Sequence, residues 1–275
     1  MSHIWLLLPV GFIIGFMGSM FGIGGGIFIV PILHFGFGVP LHQAVACSLL
    51  TVVASSMMST MAKIQSGVIN IRISKSLEIP SILGAIIGSN IIGALPIGVI
   101  KVMFSIVAAA MAFNMLKNPF KVLTGKKVNE PYYESKECSF ADSYRDKATG
   151  KTVFYQAKNL KWAVPLSVFA GFLSSTLGVG GGVINVPLMT NVCKLPIKVA
   201  SGTSSYKLGL TACAGALVYF RKGYVVEDVT VMVILGILAG AWLGINMLLK
   251  IKAFYVEVLF GLLMLSIALK MAVSL

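Results

Sequence analysis

Gly15–Pro31, GFMGSMFGIGGGIFIVP, decides the architecture because the chain contains it twice: Gly171–Pro187 reads GFLSSTLGVGGGVINVP. A shift of 156 residues without gaps lays Ser19 on Ser175, Gly22 on Gly178, and Gly24, Gly25 and Gly26 on Gly180, Gly181 and Gly182. The same shift pairs Pro40 with Pro196, Ala44 with Ala200, Ser48 with Ser204, Gly84 with Gly240, Gly88 with Gly244 and Asn90 with Asn246. One register held for so long reads as an internal repeat, and a functional site is expected where the two halves meet.

Outside the motif, composition names the solvent. The chain is 57% hydrophobic and 11% charged, with a mean hydropathy of +0.92, whereas about a quarter of the residues of a soluble domain are charged. Several apolar runs approach the ~20 residues a helix needs to cross a bilayer, and little of the sequence alternates strictly. The expectation is an all-α integral membrane protein with the lipid bilayer as its partner. The net charge of +13 would suggest nucleic acid in a soluble protein, but the basic residues fall mostly in loops, as membrane topology requires.

Three regions follow: a first membrane repeat over 1–116, a connector over 117–161 and a second membrane repeat over 162–275. The connector holds ten of the 22 Lys and Arg residues, which places it on the cytoplasmic side. Alternation around Ser143–Arg145, a Thr149-Gly150 turn and Thr152–Gln156 predict a small β-hairpin there. It reads as a surface ornament, with a regulatory or partner-binding role as the alternative. The N-terminal run MSHIWLLLPVGFIIGF lacks a basic leader and a small-residue cleavage site; it reads as a retained membrane segment, with a signal peptide as the lesser alternative.

Each half is expected to hold a glycine-broken or re-entrant helix followed by three transmembrane helices. In the first half these are His42–Ala62, Ile79–Leu95 and Gly98–Leu116, with Lys63, Gln65, Arg72 and Lys75 in a loop. In the second they are Ile197–Phe220, Val229–Leu249 and Ala253–Val273. Four glycines within Gly22–Gly26 break a helix, since each costs about 1 kcal/mol against alanine in a helix interior. Kinked single crossings would make the repeats parallel, and re-entrant hairpins would make them inverted. Loop charges barely separate the two. The inverted form is preferred because it lets the two glycine turns meet near the bilayer midplane.

Non-helical backbone inside a membrane must be buried in protein or line a wet cavity. The helices resuming at Gly26 and Gly182 would present unpaired N–H groups to an anion, so Gly24, Gly25, Gly26, Gly180, Gly181 and Gly182 are candidate binding residues; close helix packing is the alternative. Ser48, Thr51, Ser55 and Ser59 share a helix face, as do their copies Ser204, Lys207, Thr211 and Gly215, and two such stripes could wall one cavity. Back-bonding to their own helix is the plainer role for the hydroxyls. Lys207 stands about ten residues into a span with no acidic residue three or four positions away, which makes it a functional candidate by default; snorkelling to an interface is the alternative. Ser19, Ser175, Asn90 and Asn246 are secondary candidates, the two asparagines as buried symmetric amides.

Catalysis has little support. His3, His34 and His42 lie at membrane edges, and no strand precedes the GxGxxG-like run. The four cysteines show no metal-ligand spacing, so neither a metal nor a cofactor is implied. Glu78, Glu227, Asp228 and Glu257 fall near predicted span ends, which gives no carboxylate relay.

The doubled G-x-x-x-x-x-x-G-[IV]-G-G-G-x-x-x-V-P element, each copy followed by Ala-x-x-x-Ser (Ala44–Ser48, Ala200–Ser204), resembles the sulfite exporter TauE/SafE family, also called the 4-toluene sulfonate uptake permease family. The resemblance covers both halves. It implies a bacterial or archaeal plasma-membrane permease for sulfite, thiosulfate, sulfonates or related organic anions, with the glycine turns framing the substrate. The resulting expectation is a secondary transporter of a small sulfur-containing anion working by alternating access. An anion-selective channel and a carrier of a non-sulfur organic anion are the alternatives. Direction, coupling ion and any homo-oligomer stay open.

Overall fold

The computed structural model describes residues 4–21, 24–64, 67–123, 140–145, 152–247 and 253–273. The first half contains α1 (Leu7–Phe21), α2 (Gly26–Pro31), α3 (Leu41–Ile64), α4 (Ile71–Ile91) and α5 (Ile97–Leu123). An antiparallel hairpin of β1 (Ala141–Arg145) and β2 (Thr152–Gln156) follows. The second half contains α6 (Leu160–Leu177), α7 (Gly182–Pro187), α8 (Ile197–Arg221), α9 (Glu227–Met247) and α10 (Ala253–Val273). Adding 156 to the first residues of α2, α3, α4 and α5 gives the first residues of α7, α8, α9 and α10. α5 continues past the expected boundary at 116.

Four stretches among the described residues are long and apolar enough to cross a membrane: Leu41–Ile64, Ile71–Ala94, Leu160–Leu177 and Glu227–Gly244. Shorter apolar helices accompany them at Leu7–Ser19, Gly26–Gly36, Ile97–Phe113 and Met264–Val273. α8 is 25 residues long but carries Ser201, Thr203, Ser204, Ser205 and Lys207. Most of these are buried against neighbouring helices, so α8 needs less of an apolar exterior.

Local chemistry explains the breaks. Gly24 and Gly25 take φ of +81° and +69°, and Gly180 and Gly181 take +76° and +71°, a region that side chains with a Cβ resist. Each short helix ends on a proline, whose missing N–H removes an α-helical bond. The chain then widens into π-helical turns at Ile32–Gly36 and Leu188–Val192. The loop expected to carry Lys63, Arg72 and Lys75 is much shorter. Lys63 lies in α3 and Arg72 and Lys75 lie in α4, because the Asn70 side chain accepts the Ile73 N–H at 3.0 Å and starts the helix there.

Glycines set the helix contacts. Gly84 lies against the Val168 carbonyl, Gly88 against Phe172 and Gly171 against Ser81, so α4 and α6 run parallel at backbone distance. Gly236, Gly240 and Gly244 of α9 lie against Leu8, Phe12 and Phe16 in the same manner, which makes α1 parallel to α9. α3 and α8 cross antiparallel: Lys63 bonds Ser201 and Ser205, Ser59 bonds Ser205, and Gly209 faces Ser56. Thr230 and the Val226 carbonyl meet Cys47, so α9 starts beside the start of α3. α1, α9 and α3 therefore point one way and α4, α6 and α8 the other. With α1 and α3 codirectional, the chain between them, including the glycine turn and α2, travels back.

The hairpin is not a loose ornament. Tyr144 and Tyr155 are each 3% exposed and pack with Ile73, Leu77, Val199 and Ala200 at the N-terminal ends of α4 and α8. Asn70 Nδ2 donates to the Tyr155 hydroxyl (3.2 Å) and to Asp142 Oδ2 (3.3 Å). The Lys158 N–H reaches the Cys193 carbonyl. The Thr149-Gly150 turn lies outside the described residues.

Candidate functional site

Lys207 is fully buried on α8. Its ammonium donates to Ser167 Oγ of α6 at 3.0 Å and to Asn185 Oδ1 of α7 at 3.0 Å. An ammonium has three N–H donors, and its two partners here are neutral. A carboxylate of opposite charge lies on α4: Glu78 is 6% exposed and sits one turn before Ser81, whose hydroxyl donates to the carbonyl of the same Ser167 that accepts from Lys207. Cys193, a free thiol just past the second π-helical turn, is buried as well.

Around this pair several buried polar atoms have no hydrogen-bond partner among the described residues. They are Ser74 Oγ, Glu78 Oε1, Ser174 Oγ, Ser204 Oγ and Thr211 Oγ1. Ser74 lies one turn before Glu78, and Ser204 and Thr211 lie one turn to either side of Lys207, so helical spacing gathers them on the faces that carry the charges. Ser174 borders Gly181 beside the Asn185 amide. An unsatisfied buried polar group costs about 1–3 kcal/mol. Five such atoms near one buried lysine mark a place suited to a polar ligand, with four hydroxyls that can each donate one hydrogen bond.

The glycine turns meet beside this cluster. A Cβ on Gly26 would lie 2.6 Å from the Gly178 carbonyl oxygen and 2.6 Å from Val52, and one on Gly180 would lie 2.5 Å from Val52. Gly24 packs on Leu208 and Val52, Gly25 on Ile14, Gly181 on Ser174, and Gly182 opens α7. In the first half the turn is stapled. Ser48 Oγ contacts the Gly178 carbonyl at 2.6 Å and the Gly26 carbonyl at 3.0 Å, and Ser55 Oγ donates to the Gly24 carbonyl at 2.9 Å. Thr51 bonds back to the Ser48 carbonyl.

The remaining candidates have packing contacts. Ser19 bonds the Phe16 carbonyl and lies against Gly244. Ser175 bonds the Phe172 carbonyl, and its own carbonyl accepts from Tyr219. Asn90 is exposed and bonds the Ile86 carbonyl of its own helix, so it is not the buried amide that symmetry suggested. Asn246 belongs to α9, with its side chain outside the described residues.

Ser167, Asn185, Ser174 and Glu78 were not among the candidates. A signal was present: at the offset of 156 they align with Gly11, Ile29, Gly18 and Ile234. Polar residues that replace glycine or an apolar residue at matching positions of the two halves coincide with this buried polar cluster. Glu78 was set aside as a span-end residue, whereas α4 begins at Ile71 and buries it in its second turn.

The family model for the sulfite exporter TauE/SafE matches residues 7–271. Among curated relatives, a probable membrane transporter protein of Methanocaldococcus jannaschii is 27% identical, over 92% of this chain and 90% of the relative. The probable membrane transporter protein YunE of Bacillus subtilis is 27% identical over 87% of this chain and 85% of its own length. YdhB of the same organism, described in the same words, is 24% identical over 94% of this chain and 99% of its own. No solved structure matches the chain. A match over nearly the full length, on a bundle of apolar helices with paired glycine turns, makes this chain a membrane transporter belonging to the sulfite exporter TauE/SafE family.

Proposed function

We propose that the protein is a secondary transporter that carries a small sulfur-containing anion by alternating access, and that the anion binds between Lys207 and the hydroxyls of Ser174, Ser204 and Thr211. The observation that carries this reading is the buried Lys207 ammonium, held by two neutral acceptors among hydroxyls with no partner among the described residues. Hydroxyl donors and one positive charge suit an oxyanion, since charge-assisted bonds are about twice as strong as neutral ones.

The two halves are inverted repeats in this proposal. α3 and α8 are mates at the offset of 156 and run antiparallel, which supports that relation. The end carrying the hairpin and the N-termini of α4 and α8 faces the cytoplasm of a bacterial or archaeal cell, in line with the basic connector. Rocking of one half against the other about the glycine turns then exposes the site alternately.

The test is a thermal-shift screen of the purified protein with sulfite, sulfate, thiosulfate, sulfoacetate, phosphate and acetate, repeated on Lys207→Met, because a ligand that binds the native state raises its apparent stability. Selective stabilisation by a sulfur oxyanion that vanishes in Lys207→Met is the expected result. Indifference to every anion sinks the anion reading. Flux that follows only gradient and voltage, without saturation, turns it into a channel.

A further inference from the structure

We propose that Glu78 takes up a proton when an anion binds at Lys207, so that proton and anion occupy the site together. This deepens the anion reading and rests on it.

The argument is one of charge in a dry place. Glu78 is buried on α4, its Oε1 has no hydrogen-bond partner among the described residues, and it lies one turn before Ser81, which bonds the same Ser167 that accepts from Lys207. The lysine's hydrogen bonds go to Ser167 and Asn185, both neutral. With Glu78 ionised, the pair is neutral overall. An anion brought beside Lys207 adds negative charge, and the cation that α3 brings to α8, Lys63, is already held by Ser201 and Ser205; an uncompensated buried charge costs several kcal/mol. A proton on Glu78 cancels one negative charge, the whole of a sulfonate's and half of a dianion's. It forms one O–H bond on the carboxylate, is drawn from the water on whichever side the site is open to, and returns there when the anion leaves. The protonated group also becomes a donor, which an anion can accept from, whereas the carboxylate could only repel it.

Other titratable neighbours do not fill this role. Cys193 is a buried free thiol, and a neutral thiol carries no negative charge for a proton to cancel. The hairpin brings Tyr144, Tyr155 and Asp142 to the start of α4, where Asp142 and Tyr155 are engaged by Asn70. α6 contributes Lys161 alone, at its exposed start, while Arg72 and Lys75 are exposed on the first turns of α4 and Lys198 on that of α8. Glu78 is thus a buried carboxylate whose ionised form opposes the anion directly.

The experiment measures the apparent Kd of thiosulfate, sulfate and methanesulfonate across the neutral pH range. These strong-acid anions keep their own charge there, so any pH dependence belongs to the protein. For the parent protein, Kd should rise by up to about tenfold per pH unit above neutrality if one proton accompanies each anion. Glu78→Gln, which mimics the protonated group, should bind with a pH slope shallower than the parent's by the one proton that Glu78 takes up, whatever slope Lys207 itself contributes. Proton uptake of about one per anion bound, read with a pH indicator in weakly buffered solution, tests the parent protein alone should Glu78→Gln fail to fold. Binding without proton uptake, or an equal pH slope in Glu78→Gln, overturns the role of Glu78 and leaves the anion site standing. If none of the three anions binds, the anion reading fails and this inference falls with it.

Discussion

Thr51 and Lys207 occupy matching positions in the two halves, yet their surroundings differ in kind. Around Thr51 the polar groups are used up: Ser48 and Ser55 hold the carbonyls of Gly26, Gly178 and Gly24, and Thr51 bonds its own helix. Around Lys207 the matching hydroxyls, Ser204 and Thr211, have no partner among the described residues. Where the second half has Asn185 and Ser167, the first has Ile29, fully buried, and Gly11. One repeat therefore uses its Ser/Thr stripe to fasten the glycine turns, and the other presents the same stripe to a charged centre. A duplicated backbone can keep its glycines and its helix contacts while the chemistry survives, or arises, on one side only.

The sharpest way to break this comparison is to place a lysine in the fastened half. Thr51→Lys puts an ammonium where the partner positions hold Ile29 and Gly11, and an uncompensated buried charge costs about 3–5 kcal/mol. Size-exclusion chromatography in detergent should show little folded protein, with partial recovery when Ile29→Asn is added. Wild-type recovery of Thr51→Lys alone would show that the two environments are equivalent after all.

Gly26→Ala comes next. Its Cβ would meet a backbone carbonyl and a β-branched side chain, neither of which moves readily, so the thermal midpoint should fall by the equivalent of about 2–3 kcal/mol. Gly98→Ala, with nothing within 4 Å of the added methyl, should hold the parent midpoint or exceed it. Equal losses at both positions would remove close packing as the reason for glycine in the turn.

Ser48→Ala and Ser204→Ala separate fastening from binding. The first strands the carbonyls of Gly26 and Gly178 and should cost about 1–2 kcal/mol in thermal stability. The second removes a hydroxyl without a partner among the described residues, so stability should hold while the anion-induced shift in melting temperature shrinks. The reverse pattern would exchange the roles of the two halves.

The smallest effect belongs to the hairpin. Tyr155→Phe deletes the bond from Asn70 and should loosen β2 by about 1 kcal/mol, seen as faster hydrogen exchange in the hairpin with anion binding intact. Burial pushes the Tyr155 phenol up from 10.0 to about 12, against the opposing effect of the Asn70 bond. A raised folded-state value means that this contribution is complete below pH 10.0 and is lost as pH rises through about 12. Tyr155→Phe should abolish that alkaline loosening.

The linear chain by itself determined the places where helices break and the hairpin strands, and it pointed to the repeat pattern and singled out Lys207 as a buried charge. Each is a local or periodic signal: positive-φ glycines, prolines at fixed positions, alternation over five residues, a charge inside an apolar run. Tertiary structure alone decided the helix directions, because hydropathy is the same read either way and the loop charges barely separate the two topologies. It alone brought Glu78, Ser167, Asn185 and Lys207 together from four different helices. It also decided which stripe fastens and which is left open, since a serine hydroxyl is identical in both copies and only the carbonyl placed opposite it tells a bonded hydroxyl from an unpartnered one.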